Sequence, residues 1–400
     1  MTSIPRPQFT FWRLVFYALL ATGVYVTYLR ITGGLAAVSN LSDQFPWGIW
    51  IGFDVLCGVG LAAGGFTLVA TVHIFNIEKY KPILRPAVLT AFLGYVLVIF
   101  ALMFDLGRPD RIWHPLIMWN PHSVMFEVGW CVTLYTTVLF LEFSPAVFEK
   151  FRWQAPLRWF RIISVPLMIG GVILSTLHQS SLGSLFLLVP HKLDKLWYTP
   201  YLPLFFFTSA IAVGLAMTIF ESWHSSKAFG RQLERPLLQS LGGVLAVVQS
   251  TYVAMRLMDM TNRKVWGSLA SNRPETWLFL LELALITLPL AFLYQKRVQS
   301  NPRALYWSSL LVIFGFITNR LNISVTGIER ASGTTYFPKW TEIAVTLFVI
   351  ALGFGMFRLA VKHLPVFGEP EEEEGAGAAD ASKEESVRAR ARKSRGLRVA

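Results

Sequence analysis

The chain has 400 residues, of which 54% are apolar and only 15% charged, and it carries a formal net charge of +12. Apolar runs of about twenty residues, the length that crosses a bilayer's hydrocarbon, recur along it. This excludes a soluble globular enzyme and a nucleic-acid-binding module, and it predicts an all-α integral membrane protein.

Ten spans are predicted in chain order. Pro5, Arg6, Pro7 and Arg13 lead into the first, Phe11 to Arg30, without a cleavage-site pattern, so no signal peptide is expected to be removed. The second, Gly48 to Phe75, carries Asp54 and three glycines, Gly52, Gly60 and Gly64, suited to close helix approach. The third, Ile83 to Asp105, ends on its acid, and the fourth, Ser123 to Phe143, has Glu127 near its start and Glu142 near its end. The fifth, Ile162 to Val189, is apolar except for a polar middle that includes Ser175, His178, Gln179 and Ser181. Leu202 to Trp223 holds Glu221, with His224 just beyond it. Leu237 to Asp259 holds Arg256 and Asp259, Trp277 to Gln295 holds Glu282, Ala304 to Ile323 holds Arg320, and Thr341 to Val361 opens next to Glu342.

Gly170 with Gly171, and Gly242 with Gly243, are expected to serve packing. Trp47, Trp50, Trp113, Trp119, Trp197 and Tyr198 are expected to form an interfacial aromatic belt. Cys57 and Cys131 lie inside spans, far apart and at no metal-ligand spacing, and predict buried free thiols. From Gly368 an acidic block is followed by a basic one, so 368–400 is expected to be a disordered tail after a membrane domain at 1–367. Lys and Arg favour the N-terminus and the even-numbered loops, with Arg6, Lys79, Lys81, Arg152 and Arg231 among them, which places both termini in the cytoplasm. The sequence pI near 9.8 then points to anionic lipid headgroups.

Helical rise of about 1.5 Å per residue converts position into depth. Asp54, Glu127, Glu282, Asp105, Arg256, Asp259 and Arg320 fall within about two turns of the outer boundary, and His178 lies a little deeper. Charges in hydrocarbon are costly unless they face protein or water, so each is a functional candidate. Arg256 and Asp259, three residues apart, could simply neutralise each other. Asp54, Glu127 and His178, from three spans at like depth, imply a shared polar cavity, with Ser175 and Ser181 on the imidazole's face. Glu142, Glu221 and His224 lie toward the inner boundary, where they are solvated span ends or a proton route. A bis-histidine haem needs two imidazoles at one depth. The histidines do not offer them, so no haem, iron-sulfur cluster or metal is expected in this chain. The remaining group set suits a quinone, whose oxygens need hydrogen-bond donors and a proton acceptor or donor.

FPWGIWIGFDVLCGVGLAAGGF (45–66), DLGRPDRIWHPLIMWNPHSVMFEVGWCVTLY (105–135), STLHQSSLGSLFLL (175–188), LWYTPYLPLFFFTSAIAVGLAMTIFES (196–222) and YFPKWTEI (336–343) closely resemble the HybB-type membrane subunits of nickel-iron hydrogenases, part of the wider NrfD/PsrC family. The resemblance runs from about Gly34 to Pro365. It implies two four-helix bundles, at 48–189 and 202–323, flanked by helices at 11–30 and 341–361. It also implies docking to a periplasmic iron-sulfur subunit of a hydrogenase complex and exchange of electrons with menaquinone or ubiquinone. The quinone site would lie in the first bundle, around Asp54, Asp105, Glu127 and His178, with Ser175 and Ser181 beside the imidazole. Arg256, Asp259, Glu282 and Arg320 would form a relay or hold the second bundle. Rival readings are the subunit of another respiratory complex, a secondary transporter, a b-type cytochrome and a plain membrane anchor.

Overall fold

The computed structural model describes residues 10–230 and 232–367, without the side chains of residues 161, 330 and 331. The expected tail from Gly368, and Arg6 and Arg231 of the charge bias, lie outside the described residues. The described chain is all-helical, with 10 helices long and apolar enough to cross a membrane. These are α1 (Phe11–Gly33), α2 (Trp50–Ile74), α3 (Glu78–Asp105), α4 (Val124–Phe151), α5 (Ile162–Leu188), α6 (Leu202–Phe229), α7 (Arg235–Asn262), α8 (Pro274–Leu293), α9 (Pro302–Glu329) and α10 (Trp340–His363).

Helices satisfy every backbone group internally, which is what a hydrocarbon solvent demands. The hydroxyls in the spans follow the same rule. Thr27, Thr136, Thr208 and Thr287 each return the hydroxyl to the carbonyl four residues back, at 2.7, 2.7, 2.8 and 2.7 Å. Helix ends have their own devices. The Asn301 side chain accepts from the Arg303 amide at 3.0 Å to start α9, and Gly230, at φ 66, closes α6 in the left-handed region that favours glycine.

The packing is organised around α2, which lies against α3, α6 and α9. α4 pairs with α5, α5 meets α6, and α6, α7, α8 and α9 pack as neighbours, while α1 and α10 pair and close over α3. Glycine makes the central approaches possible. A β-carbon on Gly214 would sit 2.7 Å from the Gly64 amide nitrogen, so α2 and α6 touch backbone to backbone. On the other faces of α2, Gly60 seats the ring of Phe316 and Gly52 seats the Ser324 hydroxyl, while Gly65 meets Ala91 of α3. α2 is also irregular. It is π-helical over Trp50–Cys57 and Ala70–Ile74 and breaks at Ala62 and Ala63 between them. Such wide turns are rare and often mark functional stretches, and Asp54 lies in the first.

Two sequence expectations are corrected here. Of the paired glycines only Gly171 and Gly242 have close neighbours, because Gly170 and Gly243 face open space. Trp50 and Trp197 do not belong to an interfacial belt. Both are fully buried, their indole nitrogens donating to the Glu342 carbonyl at 3.1 Å and the Glu282 carboxylate at 2.7 Å. Trp113 and Trp119 do remain exposed.

Overpacking a tight crossing costs about 1–3 kcal/mol or more. Gly214→Leu is therefore expected to lower the melting temperature in detergent sharply or to abolish folding. Gly170→Leu should leave it unchanged, and melting curves of the two variants against the parent provide the check.

Candidate functional site

The ionisable groups separate into four sets. One end of the molecule, where α2 stops and α3 starts, carries Lys79, Lys81, Arg85, Lys150, Arg235, Lys296 and Arg297 and is called the basic end. The opposite end is the far end.

The first set lies at the far end between α1, α2, α3 and α10. Asp54 is buried and accepts from the Thr346 hydroxyl at 2.9 Å, a threonine that gives up its usual backbone bond to do so. Asp105, closing α3, is within electrostatic reach of Asp54 and of Glu342, and its Oδ1 has no hydrogen-bond partner among the described residues. Arg30 of α1 folds over the end of α3, donating to the carbonyls of Phe104 at 2.9 Å and Leu106 at 2.5 Å. Glu342, fully buried, accepts from the amides of Asn40 at 2.7 Å and Lys339 at 3.1 Å and from the hydroxyl of Tyr336. Burial, reinforced by the Glu342 bond, pushes the Tyr336 phenol well up, so it stays protonated and donates. This carboxylate is a cap for α10 as much as a member of the acidic set.

The second set lies between α3, α4 and α5. The Ser181 hydroxyl donates to Glu127 at 2.5 Å, joining α5 to α4. One turn deeper, His178 is fully buried with neither ring nitrogen partnered, and its ring lies 5.7 Å from that of Tyr95, which stands 4.8 Å from Tyr135. The hydroxyls of Tyr95, Tyr135 and Ser175 and Oε1 of Glu142 are likewise buried without a partner. Ser175 is near both phenols, yet at geometries that form no hydrogen bond. Glu142 continues the line toward the basic end, since its Oε1 and the ring of Tyr135 both lie against Gly171 of α5. Each buried polar group without a partner costs about 1–3 kcal/mol, so five such side chains gathered together mark a candidate hydrogen-bonding site.

A contrasting third set fills the space between α6, α7, α8 and α9. Glu282 pairs with Arg256 at 2.8 Å and accepts from Trp197 at 2.7 Å, Asn319 at 2.7 Å and Asn322 at 2.9 Å. Arg320 donates to Asn319 at 2.7 Å and Ser209 at 2.8 Å and stacks 3.6 Å over the centre of Phe206. Arg256 and Asp259 do not neutralise each other. Asp259 instead pairs with Arg263, one turn further along α7, at 2.8 Å and accepts from Thr199 at 2.8 Å.

The fourth set is at the basic end. Glu221 accepts from Thr90 of α3 at 2.8 Å and borders a cavity of about 50 Å³ with Thr218, Ser222, Ser225, Gln232 and Glu234. That volume admits water. Pro82 and Pro86 of α3 also line it, and Pro86 lacks the amide that would occupy the Pro82 carbonyl. His224 points elsewhere, to the Tyr306 hydroxyl of α9 at 3.2 Å.

The structure thus brings Asp54 to Asp105 and Glu127 to Ser181, and sets His178 beside Ser175. It does not place Asp54, Glu127 and His178 in contact. Tyr95, Tyr135, Thr346, Arg30 and Tyr336 were not singled out from sequence. The signal for the two buried tyrosines was available, since Tyr95, Tyr135 and His178 all sit about ten to twelve residues from the far ends of their predicted spans.

Residues 37–330 match the family described as Polysulphide reductase, NrfD. A protein of Nitratidesulfovibrio vulgaris is 40% identical over 366 residues, covering 88% of this chain and 93% of its own length. The probable Ni/Fe-hydrogenase 2 b-type cytochrome subunit of Escherichia coli K12 is 30% identical over 358 residues, covering 88% of this chain and 91% of its own. The menaquinone reductase integral membrane subunit of N. vulgaris is 27% identical over 404 residues, covering 92% and 93%. The chain belongs to the NrfD family and is a multi-pass integral membrane protein.

The E. coli relative's name raises the question of haem. Among the seven histidines His178 alone is buried, and its ring packs against Tyr95. The others sit at helix ends and in loops. The residues present do not fit a bis-histidine haem site. Among the described residues no group of three or more His, Cys, Asp or Glu is placed to hold a metal ion.

Breaking a buried ion pair by removing one partner costs about 3–5 kcal/mol. Arg256→Met is therefore expected to destabilise the protein by that much, and more than the exposed Arg108→Met. Unfolding in mixed detergent reads the difference.

Proposed function

We propose that this chain is a quinone-reactive membrane subunit of an oxidoreductase complex. In this reading it exchanges electrons between a periplasmic iron-sulfur partner of a hydrogenase-type assembly and menaquinone or ubiquinone. Both termini are cytoplasmic and the basic end faces the cytoplasm, as the distribution of Lys and Arg favours. The spans form two four-helix bundles, α2–α5 and α6–α9, with α1 and α10 flanking. The relatives' names, a hydrogenase subunit and a menaquinone reductase subunit, support the partner class and the carrier.

The observation that carries this reading is the group of unpaired polar atoms on His178, Tyr95, Tyr135 and Ser175. A quinone head presents two carbonyl acceptors when oxidised and two hydroxyl donors when reduced, which matches a mixed donor and acceptor set. Reduction takes two electrons from the partner's iron-sulfur chain and two protons, one to each oxygen. His178 donates an N–H to one oxygen and passes that proton as its other ring nitrogen takes one up, so the imidazole stays neutral. It is recharged along Ser175, Tyr135 and Glu142, which lead toward the basic end. Glu127, held by Ser181 one turn above, supplies the other proton, with Asp54 and Asp105 as the acidic reserve across α3. Glu221 and its cavity provide a second inlet from the basic end, while His224, turned toward Tyr306, lies off it. Proton uptake on the cytoplasmic side during quinone reduction would couple electron flow to the membrane potential. The network of Arg256, Asp259, Glu282 and Arg320 is assigned to holding the second bundle, since both carboxylates accept on both oxygens and only Nε of Arg256 lacks a partner within it. No resident haem, cluster or metal enters this mechanism.

A positioned acid or base contributes about 10²–10⁴-fold. His178→Ala in the assembled complex is therefore expected to lower quinone reduction at least 100-fold, while the partner still reduces a soluble dye and the complex still co-purifies. Unaltered quinone turnover in that variant would sink the reading. Tyr95→Phe is expected to give a smaller loss, measured in the same assay.

A further inference from the structure

We infer that the membrane-facing surface of α7 at the basic end binds one anionic phospholipid, its phosphate on Ser240 and Lys79 and an acyl chain along Gly243 to Val247. A groove of about 540 Å³ lies there. Pro236, Gln239, Ser240 and Gln299 line it at the end nearest the basic loops, and Gly243, Val244 and Val247 follow without a polar side chain. The seven steps from Ser240 to Val247 span roughly 10 Å of helix, so headgroup depth at one end becomes acyl-chain depth at the other.

The hydrogen bonding at the polar end is unbalanced in a particular direction. The Ser240 oxygen accepts from Lys79 Nζ at 2.7 Å and from the Tyr80 hydroxyl at 2.7 Å. Two acceptances use both of its lone pairs. Unlike most hydroxyls in these spans, Ser240 does not return its proton to its own helix. Lys79 keeps further N–H donors, and the exposed cations Arg235, Lys296 and Arg297 lie on the segments that border the groove. The carboxylates of this end are engaged elsewhere: Glu78 pairs with Lys81 at 3.0 Å, and Glu234 borders the Glu221 cavity. Donors and cations beside an apolar surface open to the hydrocarbon suit a headgroup of net negative charge better than a phosphodiester that carries its own ammonium. A β-carbon on Gly243 would meet nothing within 4 Å, so this stretch of the surface is open to the hydrocarbon.

The test is native mass spectrometry of the full chain in detergent, titrated with phosphatidylglycerol, phosphatidylcholine or inorganic phosphate. The parent protein is expected to retain one phosphatidylglycerol in preference to phosphatidylcholine, with no displacement by millimolar phosphate. One basic contact near a membrane surface corresponds to about fivefold in affinity, so Lys79→Ala should lower retention by about that factor. Gly243→Phe should abolish retention by filling the trough while leaving the lipid-free melting temperature unchanged, which separates a blocked groove from a damaged fold. Equal retention of the two lipids, displacement by inorganic phosphate, or full retention by Gly243→Phe would overturn the assignment.

Discussion

The backbone contact between Gly64 of α2 and Gly214 of α6 sets the dimensions of the rest. In lipid there is no hydrophobic drive to bring helices together, so association rests on dispersion and on how closely backbones can approach. With α6 against one face and α9 seated on Gly60 and Gly52, α2 becomes an interior helix rather than a lipid-facing one. An interior helix cannot bend outward to relieve strain. Its irregularities, two π-helical stretches and a break between them, are instead absorbed in its own turns. Asp54 is carried on one of these wide turns, where it meets Thr346 from α10.

The two halves handle buried polarity in opposite ways. Between α6 and α9 the Glu282 carboxylate is filled on both oxygens, and the neighbouring arginines are spread over amides, a hydroxyl and aromatic faces. Removing any member would leave charged partners stranded, so this half resists change. Between α3 and α5 the polar side chains are just as deeply buried, but their atoms face one another without bonding. A region that tolerates such a deficit is stable only because its surroundings are well packed. The aromatic and aliphatic core that includes Tyr95, Tyr135, Leu139, Leu182 and Phe186 supplies that packing.

Much of this was legible in the sequence, because hydrocarbon imposes a strict length and polarity on anything that crosses it. The ten spans and their ionisable residues could be placed by counting, and the long motifs around Asp54, Asp105 and His178 disclosed the family. Pairing was not legible. Sequence spacing suggested Arg256 with Asp259, whereas three-dimensional packing gave Arg256 to Glu282 on another helix and left Asp259 to Arg263. Trp50 and Trp197 were misplaced for a related reason: aromatic residues near span ends read as interfacial anchors unless one knows that their N–H groups serve buried acceptors. The tyrosines beside His178 escaped notice because phenols look unexceptional in apolar runs until depth is compared helix by helix.

The ion-paired half has one property that its hydrogen bonds alone do not reveal. Of the two buried guanidinium groups there, Arg256 pairs with the Glu282 carboxylate and Arg320 reaches it only through Asn319, so the interior holds a cation without a carboxylate of its own. A fixed cation in a low-dielectric setting repels sodium ions and hydronium alike, as it does in selective water pores. A cation entering between α6 and α9 would meet that charge, and the Glu282 carboxylate beside it already accepts on both oxygens.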